Sequence, residues 1–392
     1  MHVINRIASF HDDMTAWRRD IHAHPETAFE ESRTAALIAE KLRSWGIETK
    51  EGLAKTGVVG TLRCGNGTRA IGLRADMDAL PMDELNDVPH RSVVEGKFHG
   101  CGHDGHTAML LGAARYLAEA RNFDGTVHFI FQPAEENVAG AGVMVREGLF
   151  EMFPMDAVYG MHNRPNLPAG TFAMRSGPAL ACADNFGIVL RGRGTHAAWP
   201  HLGVDLVVVA AQIVIALQTI VSRQTSPLDS AVVSVTTIHA GSGYNVIAEE
   251  LAMRGTARSF LPATQDLIEA RIREIAQATA AMHGATAEIE YERRYPSLHN
   301  DGERIAVCAE VARAIVGADH VDTEHESSMG SDDFSFLSNR VPGGYVWIGA
   351  GPAEDGRFLH NPRYDFNDGI LPLGATYWAR LVEAELPRKG LP

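Results

Sequence analysis

Two hydrophobic periods alternate along the chain. Short apolar runs at Ala70–Ala75, Thr126–Phe131, Ala157–Met161 and Gly344–Gly349 read as buried strands, each closing on a polar residue or a loop. Helical spacing dominates about residues 1–45, interrupted by Pro25, which leaves His22 and His24 near a turn. The segment "HGCGHDGHTAMLLGAARYLAEA" has a glycine-rich front that reads as loop and a back, Thr107–Ala120, that reads as helix. Strands alternating with helices predict an α/β layer architecture.

The middle of the chain follows a different order. Asn185–Leu190 reads as strand, Val204–Arg223 as helix, Ser230–Ile238 and Leu251–Phe260 as strands, Ala263–His283 as helix and Ala285–Tyr291 as strand. This β-α-β-β-α-β sequence is the split βαβ, or ferredoxin-like, arrangement. It is expected as a separate domain over residues 184–295, inserted between residues 1–183 and 296–392 of a first domain. The run Val204–Val221 is apolar enough to suggest a membrane span, but Asp205, Gln212 and Gln218 favour a helix of a soluble domain, and no membrane association is expected.

Composition narrows the partners. A net charge of −14 repels phosphate backbones, so nucleic acid is not expected as a ligand. Four widely spaced cysteines do not form a disulfide framework, and the polar N-terminus lacks the apolar stretch of a signal peptide. Both point to a reducing, cytoplasmic setting.

The chemistry collects at strand ends. Asp76, Cys101, His103, Glu135, Glu136 and His162 all lie just past an apolar strand or just before a helix, where open α/β sheets build their sites. Cys101 and His103 form a Cys-x-His pair, whose side chains would point the same way on extended backbone. Of the adjacent acids Glu135 and Glu136, one can ligate while the other serves as base. His162 and His360 add imidazoles. A thiolate, imidazoles and a carboxylate suit zinc, manganese, cobalt or nickel better than calcium. Singly, a buried cysteine is more often core, a histidine a loop residue and an acid pair solvated surface. A metal-free cysteine hydrolase, with Cys101 as nucleophile and His103 or His106 as base, is the rival chemistry, and a non-catalytic binding protein the rival class.

Taken in order, "HAHPE", "LRADMDALP", "HGCGHDGHTAMLLGAA", "FQPAEE", "GMHNRP", "GRGTHAAWPH", "NVIAEE", "MGSDDFSF" and "LHNPRYDFND" resemble the amidohydrolase branch of the M20 metallopeptidase family. That branch holds hippurate hydrolases, N-acyl-amino-acid aminoacylases and auxin-conjugate hydrolases. The resemblance implies a zinc-peptidase-like mixed-sheet catalytic domain carrying an inserted lid and dimerisation domain. It implies two divalent ions per subunit, held by Cys101, His103, Glu136, His162 and His360, with the Cys101 thiolate bridging them. Glu135 would be the general base, and Asp76, Asp78 and Asp104 would orient ligands. His196, supplied by the neighbouring subunit of a homodimer, would stabilise the developing oxyanion, while Asn245 and Arg258 would grip a substrate carboxylate. The substrate implied is an N-acyl amino acid. Deacetylation of a diaminopimelate or ornithine-type intermediate, or dipeptide hydrolysis, would use the same fold. The pattern departs from the family at Thr195, Ala248 and Asp332, and the assembly could extend to a tetramer.

Overall fold

The computed structural model describes residues 2–353 and 356–388. The chain divides into two compact units, Met1–Ala179 with His299–Glu326 and Asp333–Pro392, and Leu180–Leu298 with Ser327–Asp332.

The first unit is built on a mixed eight-stranded sheet. Its strands are β1 (Glu48–Leu53), β2 (Gly57–Cys64), β3 (Ala70–Asp76), β4 (Gly125–Gln132), β5 (Ala157–Pro165), β6 (Phe172–Ala173), β7 (Val321–Asp322) and β8 (Gly343–Gly351). The spatial order is β1-β2-β4-β3-β5-β8-β6-β7. The central strands β4, β3, β5 and β8 run parallel, so their carboxyl ends share one edge. β3 and β4 are buried along their whole length, because helices cover both faces, and this is why they read as unbroken apolar runs. β2 pairs antiparallel with β1 and buries Val58, Val59 and Leu62, whereas β1 escapes the apolar pattern. β1 is "ETKEGL", largely exposed at the sheet margin, where charged side chains discourage pairing with another chain.

One helix carries much of the site. It spans His103–Ala120, starting four residues before the Thr107 that the apolar period suggests. Gly102, at φ 94°, turns the chain into the helix through the left-handed region open to glycine, so the segment expected as loop is the first helical turn. The extended-backbone argument for Cys101 and His103 therefore fails. The two converge through the glycine turn, not through strand alternation. β5 likewise continues past Met161 to Pro165, so His162 projects from within a strand.

The second unit is a four-stranded antiparallel sheet in the order Ala231–Ala240, Glu250–Ser259, Ala183–Arg191, Thr286–Tyr295. Buried and half-exposed positions alternate along Ala183–Arg191 and Glu250–Ser259, as expected for a sheet covered on one face. Helices Leu206–Thr219 and Pro262–Met282 pack against that face through Val209, Ile213, Leu217, Ile268 and Ile272. Leu206–Gln224 is long and apolar enough by composition to cross a membrane, yet a stripe of it is buried against this sheet. Asp205 caps its start, its Oδ1 accepting from the amides of Val207 (3.0 Å) and Val208 (3.4 Å).

The helix that begins at His103 sits tight against Phe366, whose ring would lie 2.3 Å from a Cβ at position 105. Gly105→Ala should therefore lower stability by about 1–3 kcal/mol despite alanine's better helix propensity, as read from denaturant unfolding.

Candidate metal centre

The carboxyl edge of the sheet gathers the expected donors. Asp78, just past β3, accepts a hydrogen bond through its carbonyl from His103 Nδ1 (2.9 Å), with its Oδ1 at 3.2 Å from the same nitrogen. A nitrogen facing a carbonyl must carry the proton, so in the neutral ring the lone pair of His103 resides on Nε2. That atom is buried and without a hydrogen bond. His162 repeats the device: Nδ1 donates to the Asn163 carbonyl (2.8 Å), leaving Nε2 unprotonated, 3.4 Å from Cys101 Sγ.

The carboxylates arrive from the turn after β4. Residues Glu135–Val138 form one helical turn held between Ala134 (φ 57°) and Ala139 (φ 56°), both left-handed. The Glu136 amide donates to Asp78 Oδ2 (2.9 Å), and Glu135 Oε1 accepts from the Asp333 amide (3.4 Å). Glu136 Oε1 is buried without a hydrogen bond and lies 3.1 Å from His360 Nε2. The His360 amide donates to the Gly100 carbonyl (2.8 Å), which ties the C-terminal loop to the cysteine loop. The donor atoms of Cys101, Glu136 and His360 lie within 4.8 Å of one another, as do those of His103, Glu135 and Glu136. His103 and His162 share a further such group with Asp76 and His106.

Electrostatics differ between the donors: burial would depress His103, but the Asp76 charge and then Cys101 hold it well above the usual imidazole range. Burial, and then the charge of Glu136, pushes the Cys101 thiol well above its ordinary range. Burial also pulls His162 well below the usual imidazole range, with His106 adding to it. The Cys101 thiol and the Glu136 carboxylate, grouped with the exposed His360 on one side and, through Glu136, with His103 on the other, fit divalent cations, which would reverse the penalty on the thiolate.

Asp76 faces a different task. It accepts from Arg74 NH1 (2.7 Å) and His106 Nδ1 (2.5 Å), and its Oδ2 is 3.6 Å from His103 Nε2. Asp104 points away from the donors, accepting from His22 Nδ1 (2.8 Å) with Arg18 NH1 at 3.5 Å. Both carboxyls are held well below the usual range. Burial opposes this, but Arg74 and the neighbouring histidines outweigh it at Asp76, and His22 outweighs it at Asp104.

In the second unit, His196 and Asn245 line one hollow of about 530 Å³. His196 Nδ1 accepts from the Ala198 amide (3.0 Å), which places the ring proton on Nε2. Arg258 is elsewhere. It sits near the far end of Glu250–Ser259, bonded to Ser331 Oγ (3.1 Å), eight residues along the strand from Glu250, or roughly 25 Å.

The profile of the Peptidase family M20/M25/M40 matches residues 72–384. The chain belongs to the M20 family. It is a metal-dependent hydrolase of that family's amidohydrolase type. It is 38% identical to a hippurate hydrolase of Campylobacter jejuni over 382 residues, covering 97% of this chain and 99% of the relative. It is also 38% identical to an N-acetylcysteine deacetylase of Bacillus subtilis, covering 95% and 97%. A crystal structure of a dinuclear metal-binding M20 peptidase from Bacillus subtilis superposes with a TM-score of 0.84 at 35% identity, covering 97% and 99%.

Sequence reasoning passed over Arg74 and Asn163 at this M20 site and weighed His106 only as the base of the rival cysteine chemistry. Arg74 is fully buried and joins Asp76, Gln132 Oε1 (2.7 Å) and Asp333 Oδ1 (3.0 Å). His106 bridges Asp76 to Asn163 Oδ1 (2.6 Å), and Asn163 Nδ2 donates to Tyr364 Oη (2.6 Å). Both ring nitrogens of His106 are engaged by these neighbours, and it shares a candidate cation group with Asp76, His103 and His162. All lie inside the quoted motifs, so motif membership was the available signal.

Behind the metal loop, burial alone would depress His22, but hydrogen bonds to Asp104 and Glu84 raise its pKa to about 9. A pKa raised on folding stabilises fully below the unfolded value near 6.5, and that contribution disappears as pH climbs through about 9. Unfolding free energy should thus fall by about 1–3 kcal/mol across that window. The fall should be absent from His22→Gln, which pH-resolved denaturant titrations would reveal.

Proposed function

We propose that this enzyme hydrolyses the amide bond of N-acyl amino acids, with hippurate-like N-benzoyl or N-acetyl compounds as substrates. The observation that carries the reading is the pair of buried atoms without hydrogen bonds, His103 Nε2 and Glu136 Oε1, in groups that also hold Cys101, His360 and the carboxylate of Glu135. The names of its relatives at 38% identity support the substrate class.

Cys101, His103, Glu136, His162 and His360 would hold two divalent ions, zinc, manganese, cobalt or nickel. Such ions supply Lewis acidity and acidify water when bound. Glu135 takes the proton of the attacking water and returns it to the departing amine. Asp78 fixes the His103 tautomer and the Glu136 backbone, while Asp76 and Asp104 hold the helix start that carries His103. A metal-free cysteine mechanism is disfavoured, since it needs a depressed thiol pKa and Cys101 is pushed the other way.

His196 presents its Nε2 proton to the oxyanion, and Asn245 and Arg258 take the substrate carboxylate. Arg258 is too far along its strand for one small substrate to meet it and His196 of the same chain. This supports a homodimer in which His196 and Asn245 act across the interface. The inserted unit offers a surface for it: the free edge of strand Ala231–Ala240 beside a helix with Val207, Val208 and Ile215 exposed. The four free cysteines accord with a cytoplasmic location.

Glu135→Gln should reduce kcat on N-benzoylglycine or N-acetyl amino acids by at least ~10³-fold while two ions per chain remain bound, and unchanged kcat would refute the base assignment. His196→Ala should lower kcat by ~10²–10³-fold with metal content intact. Co-expressed His196→Ala and Glu135→Gln chains should recover activity through mixed dimers, whereas no recovery would place the histidine's action within one chain.

A further inference from the structure

Glu31 lies far from the metal donors in sequence, at the start of helix Ser32–Ser44, and is completely buried. Its carboxylate joins three chain segments. Oε1 accepts from the amides of Phe29 (3.1 Å) and Ala134 (2.9 Å), and Oε2 accepts from Thr56 Oγ1 (2.6 Å). Each segment contains a non-glycine residue in the left-handed region: Phe29 at 62°, Ala54 and Lys55 at 49° and 68°, and Ala134 at 57°. L-residues adopt that conformation only when their surroundings impose it. Ala134 precedes a single helical turn that is too short to hold its own geometry. The turn is fixed from outside, by Asp78 on the Glu136 amide and by the Ala134 carbonyl on the Gly140 amide (2.9 Å). The buried Ala134 amide has Glu31 as its partner.

We infer that Glu31 is a positioning residue for Glu135: its carboxylate holds Ala134 in the left-handed conformation that aims the adjacent base. This rests on the reading of Glu135 as base. Because Asp78 anchors Glu136 separately, loss of Glu31 displaces the base more than the metal ligands. The interaction needs an acceptor, not a charge. A glutamine at 31 keeps an oxygen for both amides, and its NH2 group can donate to the Thr56 hydroxyl.

The test compares Glu31→Ala and Glu31→Gln in the metal-loaded enzyme by amide hydrogen exchange, metal stoichiometry and steady-state kinetics on the N-acyl amino acid the wild type cleaves fastest. Glu31→Ala should speed exchange in peptides covering residues 133–140. It should also lower kcat at least tenfold, with KM within threefold and metal content unchanged. Glu31→Gln should restore protection and bring kcat within about threefold of wild type. Should the alanine variant not fold, Glu31→Asp, one methylene short of Ala134, carries the same expectations. Unchanged exchange at 133–140 in the alanine or aspartate variant overturns the inference, as does a glutamine variant as impaired as the alanine one. Full activity in Glu135→Gln would instead remove the base reading, and the exchange result would still decide whether Glu31 holds the turn.

Discussion

Asp78 makes the site possible. One buried carboxylate and its own carbonyl set the His103 tautomer, and the other carboxylate oxygen holds the Glu136 amide. Two donors from segments some thirty residues apart in sequence thus become one rigid pair, with His103 Nε2 and Glu136 Oε1 left without hydrogen bonds. Their nearest charged neighbours are the His360 ring for Glu136 Oε1 (3.1 Å) and the Asp76 carboxylate for His103 Nε2 (3.6 Å). With Glu135, His103 and Glu136 form a cage of donors that could hold a cation.

Around this pair, two buried arginines neutralise what the cage concentrates. Arg74 gathers Asp76, Gln132 and Asp333 on the Glu135 side, and Arg18 gathers Asp104, Asp365 and Asp368 behind the cysteine loop. A lone buried carboxylate would shed its charge, whereas one paired with a guanidinium keeps it and can direct a histidine. His22 and His106 complete the two clusters, each accepting its place from an aspartate. The helix beginning at His103 is held from both sides, which lets one left-handed glycine serve as its entry.

The inserted unit has a separate logic. Its sheet uses one face for its helices, and its strands are long enough to keep Arg258 and the His196 hollow at opposite ends. A small substrate cannot span that distance.

The pattern of apolar runs was sufficient to place the central parallel strands, the split βαβ insert and the polar residues at strand ends, because burial on both faces or on one leaves a direct mark on composition. The cysteine, histidine and acid motifs were legible for a similar reason, since few other uses explain them together. Tertiary structure alone decided the rest. The helix starts at His103 because Gly102 occupies a conformation that periodicity does not register, and β1 forms because β2 offers an edge to a segment with little apolar signature. Glu31, Arg74 and His106 matter through partners that lie 25 to 259 residues away, as Thr56 Oγ1, Asp333 Oδ1 and Asp76 Oδ1 do. Local sequence records what each segment buries. Only the folded chain records which buried charge meets which.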